Sequence, residues 1–406
     1  MEKEVLVSKY RSITLNVTAN KIDSYRRQEE QMNTVRVYED GKIGIAGSLG
    51  DLDEKALTEE AEKALSYGIK YPCKLKSEVR TVDRTKEIIP VKDFIPKMQH
   101  LLDRITEECP KFAASDKIYL THSEDSYKNS KGAELFTVSD VLNVNFIFQN
   151  KGSGNLFDCG FGSSVTDYDE DMIVSDCKKM HDAFYIPVDI EEGEYPVFFM
   201  PDDIFGVFGR HFFATFYASG GSLLSGKLGE KVFNEKLTFC SDKNLDTNRY
   251  ACFFDDEGEI APDNFRQPLI KNGVFTNVLT CKGISEKFGL PDAATATAAY
   301  DGVPDIGYSS SYVEPTAESV SEITKGKAVL LIMAQGGDMT PDGHFATPVQ
   351  LSYLVENGEI VGKLPDINIS GDFFQLLGED YLGTVDNAFF PSLKTGFMSC
   401  KMKVSK

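Results

Sequence analysis

Two rhythms of apolar and polar positions run along this chain. Residues 5–17 (VLVSKYRSITLNV) are rich in β-branched and aromatic side chains and predict a strand, and residues 35–45 predict a hairpin turning at Asp40-Gly41. The period then lengthens. Leu57, Ala61, Ala64 and Leu65 fall on one side of a helix that Asp53 can cap and Gly68 can stop. Phe94, Met98, Leu101, Leu102 and Ile105 recur at helical spacing between Pro90 and Pro110, so this face is expected to pack on neighbouring strands. Strands are expected at 117–121, 135–140 and 144–149, then a polar turn at 150–154 and a third helix at 167–183. The acidic, proline-bounded stretch 187–196 (PVDIEEGEYP) reads as a connector.

Beyond the connector, strand signals dominate. A short apolar strand is expected at 196–200, followed by an aromatic helix across 202–217 (DDIFGVFGRHFFATFY). AVLLIMA at 328–334 is a continuous apolar run, the pattern of a strand buried on both faces. Gly336 and Gly337 then permit backbone angles closed to other residues, and TPDG at 340–343 supplies turn chemistry before Phe345. Asn357-Gly358 between the β-rich runs 351–355 and 359–361 predicts a hairpin, and two more are expected about the acidic tip Asp255-Asp256-Glu257-Gly258 and about Asn272-Gly273. Residues 281–290 predict a short helix closed by Gly289, and 316–326 a helical segment. The small-residue run AATATAAY at 293–300 reads as a loop or helix turn. The expected class is α+β, with an N-terminal mixed α/β domain over residues 1–190 and a C-terminal β-rich, barrel-like domain over 191–406.

Four blocks follow one another in the second half. They are YASGGSLLSGKLGE at 217–230, FDDEG with the later IKNG across 254–273, residues 280–290, and GG…TPDGHF…VENGEI…INISG across 336–371. A weaker fifth, VRVYEDGKIGIA at 35–46, precedes an alanine-rich helix. In this order the blocks resemble the TldD/PmbA family, described as modulators of DNA gyrase and as zinc-dependent peptidases acting in a two-subunit complex. The resemblance spans nearly the whole chain and implies the family's two-domain fold.

The resemblance also implies two kinds of subunit. One carries His-Glu-x-x-x-His, which holds zinc on two imidazoles and sets a glutamate beside the metal-bound water. Here, with His211 as first ligand, the glutamate position is Phe212 and the second histidine position is Phe216. Active members use a further cysteine near the C-terminus in a Gly-Cys-Gly-like context, whereas residues 387–400 (NAFFPSLKTGFMSC) offer only Cys400 in a different setting. The chain therefore resembles the PmbA type, also called TldE, and no catalytic, cofactor-binding or metal-binding residue is assigned to it.

The remaining candidates are weighed against plainer roles. A lone His211 among Phe205, Phe208, Phe212, Phe213 and Phe216 reads as a packing residue, and His344 after the glycine turn reads as an exposed loop histidine. His211, Gly336, Gly337, Asp338, Gly343 and His344 stand as candidates for a peptide cleft or a structural turn, with the glycines and Asp338 read conformationally. His100, His122 and His181 lack metal-ligand spacing, and Asp255, Asp256 and Glu257, at an expected hairpin tip, are assigned no catalysis.

Composition narrows the remaining classes. A chain of 406 residues with 41% hydrophobic side chains can build two or three cored domains. No secretory leader is expected at 1–15, and Asp202, Asp203, Arg210 and His211 interrupt the most apolar stretch, 197–217, so no membrane span is expected there. Eight widely spaced cysteines without Cys-x-x-Cys read as reduced thiols, and a cytoplasmic location is expected. With 63 acidic against 43 basic residues and net charge −20, direct nucleic-acid binding is disfavoured because neutralising phosphates needs a basic surface.

The leading expectation is a non-catalytic partner of a TldD-like zinc subunit that admits or positions unfolded peptide, with zinc only in that partner. The chain belongs by resemblance to a metalloprotease family, yet is expected to be inactive alone. One alternative is a metal-free homodimer that binds peptides or a protein. Another is a metallopeptidase with divergent ligands drawn from His211, His344 and Cys400.

Overall fold

The computed structural model describes residues 1–249 and 251–406. The N-terminal sheet is built from β1 (Glu2–Thr18), β2 (Lys21–Glu39), β3 (Lys42–Leu49), β4 (Val79–Arg84), β5 (Phe112–Asn129), β6 (Glu134–Asn150) and β7 (Cys159–Val165), ordered β3-β2-β1-β5-β6-β4 with β7 also on β6. The β2/β3 hairpin turns where the sequence places it, with Asp40 at φ 53° and Gly41 at φ 71°. α1 (Glu54–Ala64) starts where Asp53 accepts the Ala56 N–H at 3.0 Å, and after one 3-10 turn the chain stops at left-handed Gly68. α2 (Val91–Glu108) buries all five expected apolar side chains, and α3 (Glu170–Phe184) is capped by Asp169.

One expected strand break is absent, and one strand is longer than expected. Residues 135–140 and 144–149 belong to one strand, β6, because Val141, Leu142 and Asn143 pair with Thr121, Leu120 and Tyr119 of β5. The short segment expected at 117–121 extends over 18 residues for the same reason. Cross-strand pairing outweighs the local polarity of Asn143.

The second sheet contains a closed ring. β8 (Gly193–Phe199) is followed by α4 (Pro201–Phe208), α5 (Ala214–Ala218), β9 (Phe239–Asp242), β10 (Arg266–Lys271), β11 (Val274–Phe275), α6 (Lys282–Phe288), β12 (Ala296–Thr297), β13 (Asp305–Ile306), β14 (Ser310–Val313) and α7 (Val320–Ile323). Then come β15 (Lys327–Ala334), β16 (Asp338–Met339), β17 (His344–Glu356), β18 (Glu359–Lys363), β19 (Ile367–Asp372), α8 (Phe373–Leu377), β20 (Tyr381–Asp386) and β21 (Gly396–Ser405). β15 pairs β8, β8 pairs β21, β21 pairs β19, β19 pairs β17, and β17 returns to β15, which makes a five-stranded barrel. The α+β class with a barrel in the second half is as expected. Asn272-Gly273 and Asn357-Gly358 turn with positive φ at all four residues, and Gly289 closes α6 in the left-handed region. The helix expected over 316–326 is reduced to α7, a single turn.

One apolar core is shared by both sheets. Phe94, Leu142, Phe146, Phe148 and Met180 from the first half pack with Phe198, Leu330, Tyr353 and Phe397 from the second, and the Tyr353 hydroxyl donates to the Met180 carbonyl at 3.1 Å. A second core fills the barrel and its surroundings, with Phe208, Phe212, Phe239, Phe275 and Phe373 among its members.

Candidate functional site

The aromatic segment after β8 is not one helix. α4 ends at Phe208, a 3-10 turn covers Gly209–Phe212, Phe213 is extended at φ −73° and ψ 127°, and α5 then begins. The break has a partner: the Leu279 N–H donates to the Phe212 carbonyl at 2.8 Å and the Ala214 N–H donates to the Leu279 carbonyl at 3.0 Å. Those bonds satisfy backbone groups that a helix would have used internally.

Within this turn, neighbouring residues part ways. His211 points inward and is 2% exposed, with its ring 5.4 Å from the Phe216 ring and 5.9 Å from Phe373. Its Nδ1 accepts the Leu223 N–H at 3.1 Å, so the remaining ring proton sits on Nε2, which has no hydrogen-bond partner among the described residues. Burial first, and the adjacent Arg210 charge second, bring its pKa down to about 4, so the imidazole is neutral at physiological pH. Phe212 is buried in the second core against Phe239 and Phe275. Around His211 the neighbours are phenyl rings, an aliphatic chain and a backbone N–H, a donor set that does not fit a zinc ion. No three His, Cys, Asp or Glu side chains group as metal ligands among the described residues. Cys400 is fully buried on β21, paired with Val197 and Tyr381, and its thiol is raised by burial.

The other sequence candidates divide into two groups. Gly343 (φ 102°) and His344 belong to a turn packed on Leu223 and Phe373, two residues that also touch His211: a Cβ at Gly343 would lie 3.2 Å from Leu223, and the Phe373 N–H donates to the Gly343 carbonyl at 3.0 Å. The His344 ring is exposed, with Nδ1 3.4 Å from a carboxylate oxygen of Asp372. Gly336, Gly337 and Asp338 line a groove of about 320 Å³ on the neighbouring surface, together with Gly206, Val207, Arg210, Met339, Phe345, Ala346 and Thr347. His211 is not part of that groove.

Glycine shapes the groove walls. At Gly337 (φ 106°) a Cβ would meet the Ala346 carbonyl oxygen at 2.8 Å, whereas at Gly206 and Gly336 it would meet nothing within 4 Å. Bare backbone is therefore exposed on two sides. Among the described residues β16 ends its sheet path and pairs with β17 alone, leaving an open edge beside the groove.

Two features were missed in the sequence. Arg210 is the groove's one arginine and sits beside His211; the signal available was its place as the sole arginine in an aromatic run. The acidic tip at 255–257 is the second, and here the expectation of an exposed hairpin tip is corrected. Asp255 and Glu257 are each 1% exposed, and the loop keeps only one isolated bridge, Phe254 to Ile260. Asp255 accepts the N–H groups of Glu257, Glu259 and Ala296, each at 2.9 Å. Glu257 accepts the Tyr71 hydroxyl and, at 2.9 Å, the Lys282 N–H, while the Lys282 ammonium lies 2.8 Å from Glu259. Burial foremost raises both carboxyls, Asp255 and Glu257. The loop is docked on the N-terminal sheet, where Arg36, paired with Glu4 at 2.9 Å, also donates to the Asp256 carbonyl. The small-residue run beside it supplies donors, since the Ala298 N–H reaches Asp256 at 2.7 Å.

The model of the PmbA/TldA metallopeptidase C-terminal domain matches residues 192–406, and that of PmbA/TldA metallopeptidase domain 1 matches residues 4–67. This chain belongs to the PmbA/TldD family. Among curated relatives, a metalloprotease of Methanothermobacter thermautotrophicus is 30% identical over 40% of this chain and 36% of its own length. A zinc metalloprotease TldD homolog of Saccharolobus solfataricus is 29% identical over 46% and 42%. The chain thus aligns with about two fifths of the length of these PmbA/TldD relatives. The crystal structure of TldE from Thermococcus kodakarensis has the same fold, with a TM-score of 0.76 at 20% identity over 100% of this chain and 97% of that one. No helix among the described residues is long and apolar enough to cross a membrane.

Proposed function

We propose that this chain is a metal-free subunit of a TldD/TldE-type peptidase assembly, in the cytoplasm, that receives extended peptide in the groove between α4 and β16. The carrying observation is the Phe216 ring packed against His211, in the place where the resemblance puts a second imidazole. Phe212, at the glutamate position, is committed to the core, so no base stands beside His211. An open strand edge flanked by bare glycine backbone can bind a peptide through main-chain hydrogen bonds without reading its sequence. Under this reading, zinc and the reacting water belong to the partner, and this chain presents the peptide.

The test is metal analysis and a peptidase assay on unstructured peptide, run on this chain alone and with a zinc-bearing sibling from the same cell. The chain alone should bind no stoichiometric zinc and cleave nothing, and the mixture should cleave. Zinc bound one to one with activity in the isolated chain would overturn the reading. Self-association with no sibling co-purifying would instead favour a homodimeric binding protein.

A further inference from the structure

We propose that Arg210 is a specificity-determining residue of the groove that takes a carboxylate of the bound peptide, principally the carboxylate at its C-terminal end. This rests on the peptide-binding reading of the groove.

Arg210 is exposed and makes no ion pair with any described residue, in a chain where acids outnumber bases 63 to 43. It is nevertheless held in place, because its guanidinium lies 5.3 Å from the centroid of the Phe216 ring. The planar fork is thus oriented before any ligand arrives, which lowers the entropy lost on binding an anion. The same phenyl ring that excludes a metal from His211 supports the cation next door.

The groove around it selects among anions. Asp338 lines the same groove, its backbone paired with β17 and its carboxylate in no ion pair with a described residue, so a run of acidic side chains would be repelled. One carboxylate at the end of an otherwise uncharged strand meets Arg210 without crowding Asp338. The bare backbone at Gly206 and Gly336 leaves room for the main chain leading to that carboxylate, and the free edge of β16 can pair with it. A strand laid along β16 and ending at Arg210 would be held in one direction, which fixes the bond presented to a neighbouring catalytic centre.

Binding can be read by fluorescence anisotropy with an N-terminally labelled Gly/Ala/Ser octapeptide, as free acid and as C-terminal amide, and with an amidated version carrying one internal glutamate. The free acid should bind about tenfold tighter than the amide, the scale of a charge-assisted hydrogen-bonded pair. Arg210→Gln should remove the difference, so that the variant binds free acid and amide equally, at a Tm that still reports a folded protein. Arg210→Lys should restore part of the preference, because it keeps the charge and loses the fork. Equal binding of free acid and amide by the unaltered protein overturns the role of Arg210 and leaves the peptide groove standing. Equal binding of the internal-glutamate amide and the free acid would overturn the preference for a chain end. Failure of every peptide to bind, alone or with the zinc-bearing sibling, would instead sink the groove reading itself.

Discussion

At the scale of single residues, backbone conformation and close contact separate glycines that look alike in the sequence. Gly258 and Gly41 both sit at positive φ, 70° and 71°, but a Cβ at Gly258 would lie 2.4 Å from the Tyr127 ring, whereas at Gly41 it would meet nothing within 4 Å. Gly41→Ala should therefore cost about 1 kcal/mol of unfolding free energy, the left-handed penalty alone. Gly258→Ala adds overpacking and should cost about 1–3 kcal/mol more, with both values read from urea denaturation. The buried ion pair gives a sharper case. Arg36 and Glu4 are each 1% exposed, and Glu4 also accepts the hydroxyls of Tyr38 and Tyr127 at 2.8 and 3.0 Å. Arg36→Met leaves that carboxylate buried beside hydroxyls only, and the expected loss is about 3–5 kcal/mol. The double variant with Glu4→Gln should recover much of it, and a double-mutant cycle measures the coupling.

At the scale of elements, what was legible in the sequence was whatever local chemistry decides. The amphipathic stripe of α2, the Asp53 cap, the left-handed stops at Gly68 and Gly289, and the Asn-Gly hairpins all need only a few adjacent residues, and all stand where expected. Long-range pairing was not legible. β6 runs through Asn143 because β5 lies beside it, and the aromatic segment breaks at Phe213 because Leu279, far along the chain, takes its backbone groups. Charge at 255–257 reads as solvent-facing until the three N–H donors to Asp255 and the arrival of Tyr71 and Lys282 are seen. The candidate site was half visible: Gly336, Gly337 and Asp338 do line one groove, whereas His211 is buried and outside its lining, and Arg210, which does line it, carries no motif.

At the scale of the whole molecule, the acidic loop couples the two halves to pH. Glu257 is raised first by burial and then by the Asp255 charge, and it is faced by Tyr71, Cys281 and Lys282, whose ammonium also pairs with Glu259. The folded chain thus holds a proton that an unfolded chain releases near the ordinary carboxylate range of about 4. The linked stability is complete at and below that range and declines as pH rises through the folded value. Urea midpoints should therefore fall between about pH 4 and about pH 7 and level off above, and Glu257→Gln should shrink that fall; an unchanged slope would remove Glu257 as its source. The apolar seam between the sheets carries a consequence for anyone dividing the chain. Severing it at the connector would strip Phe198, Tyr353 and Phe397 from Phe146, Phe148 and Met180, leaving each fragment with a greasy wound. Apart, the fragments should clump, and produced together they should heal into one soluble particle.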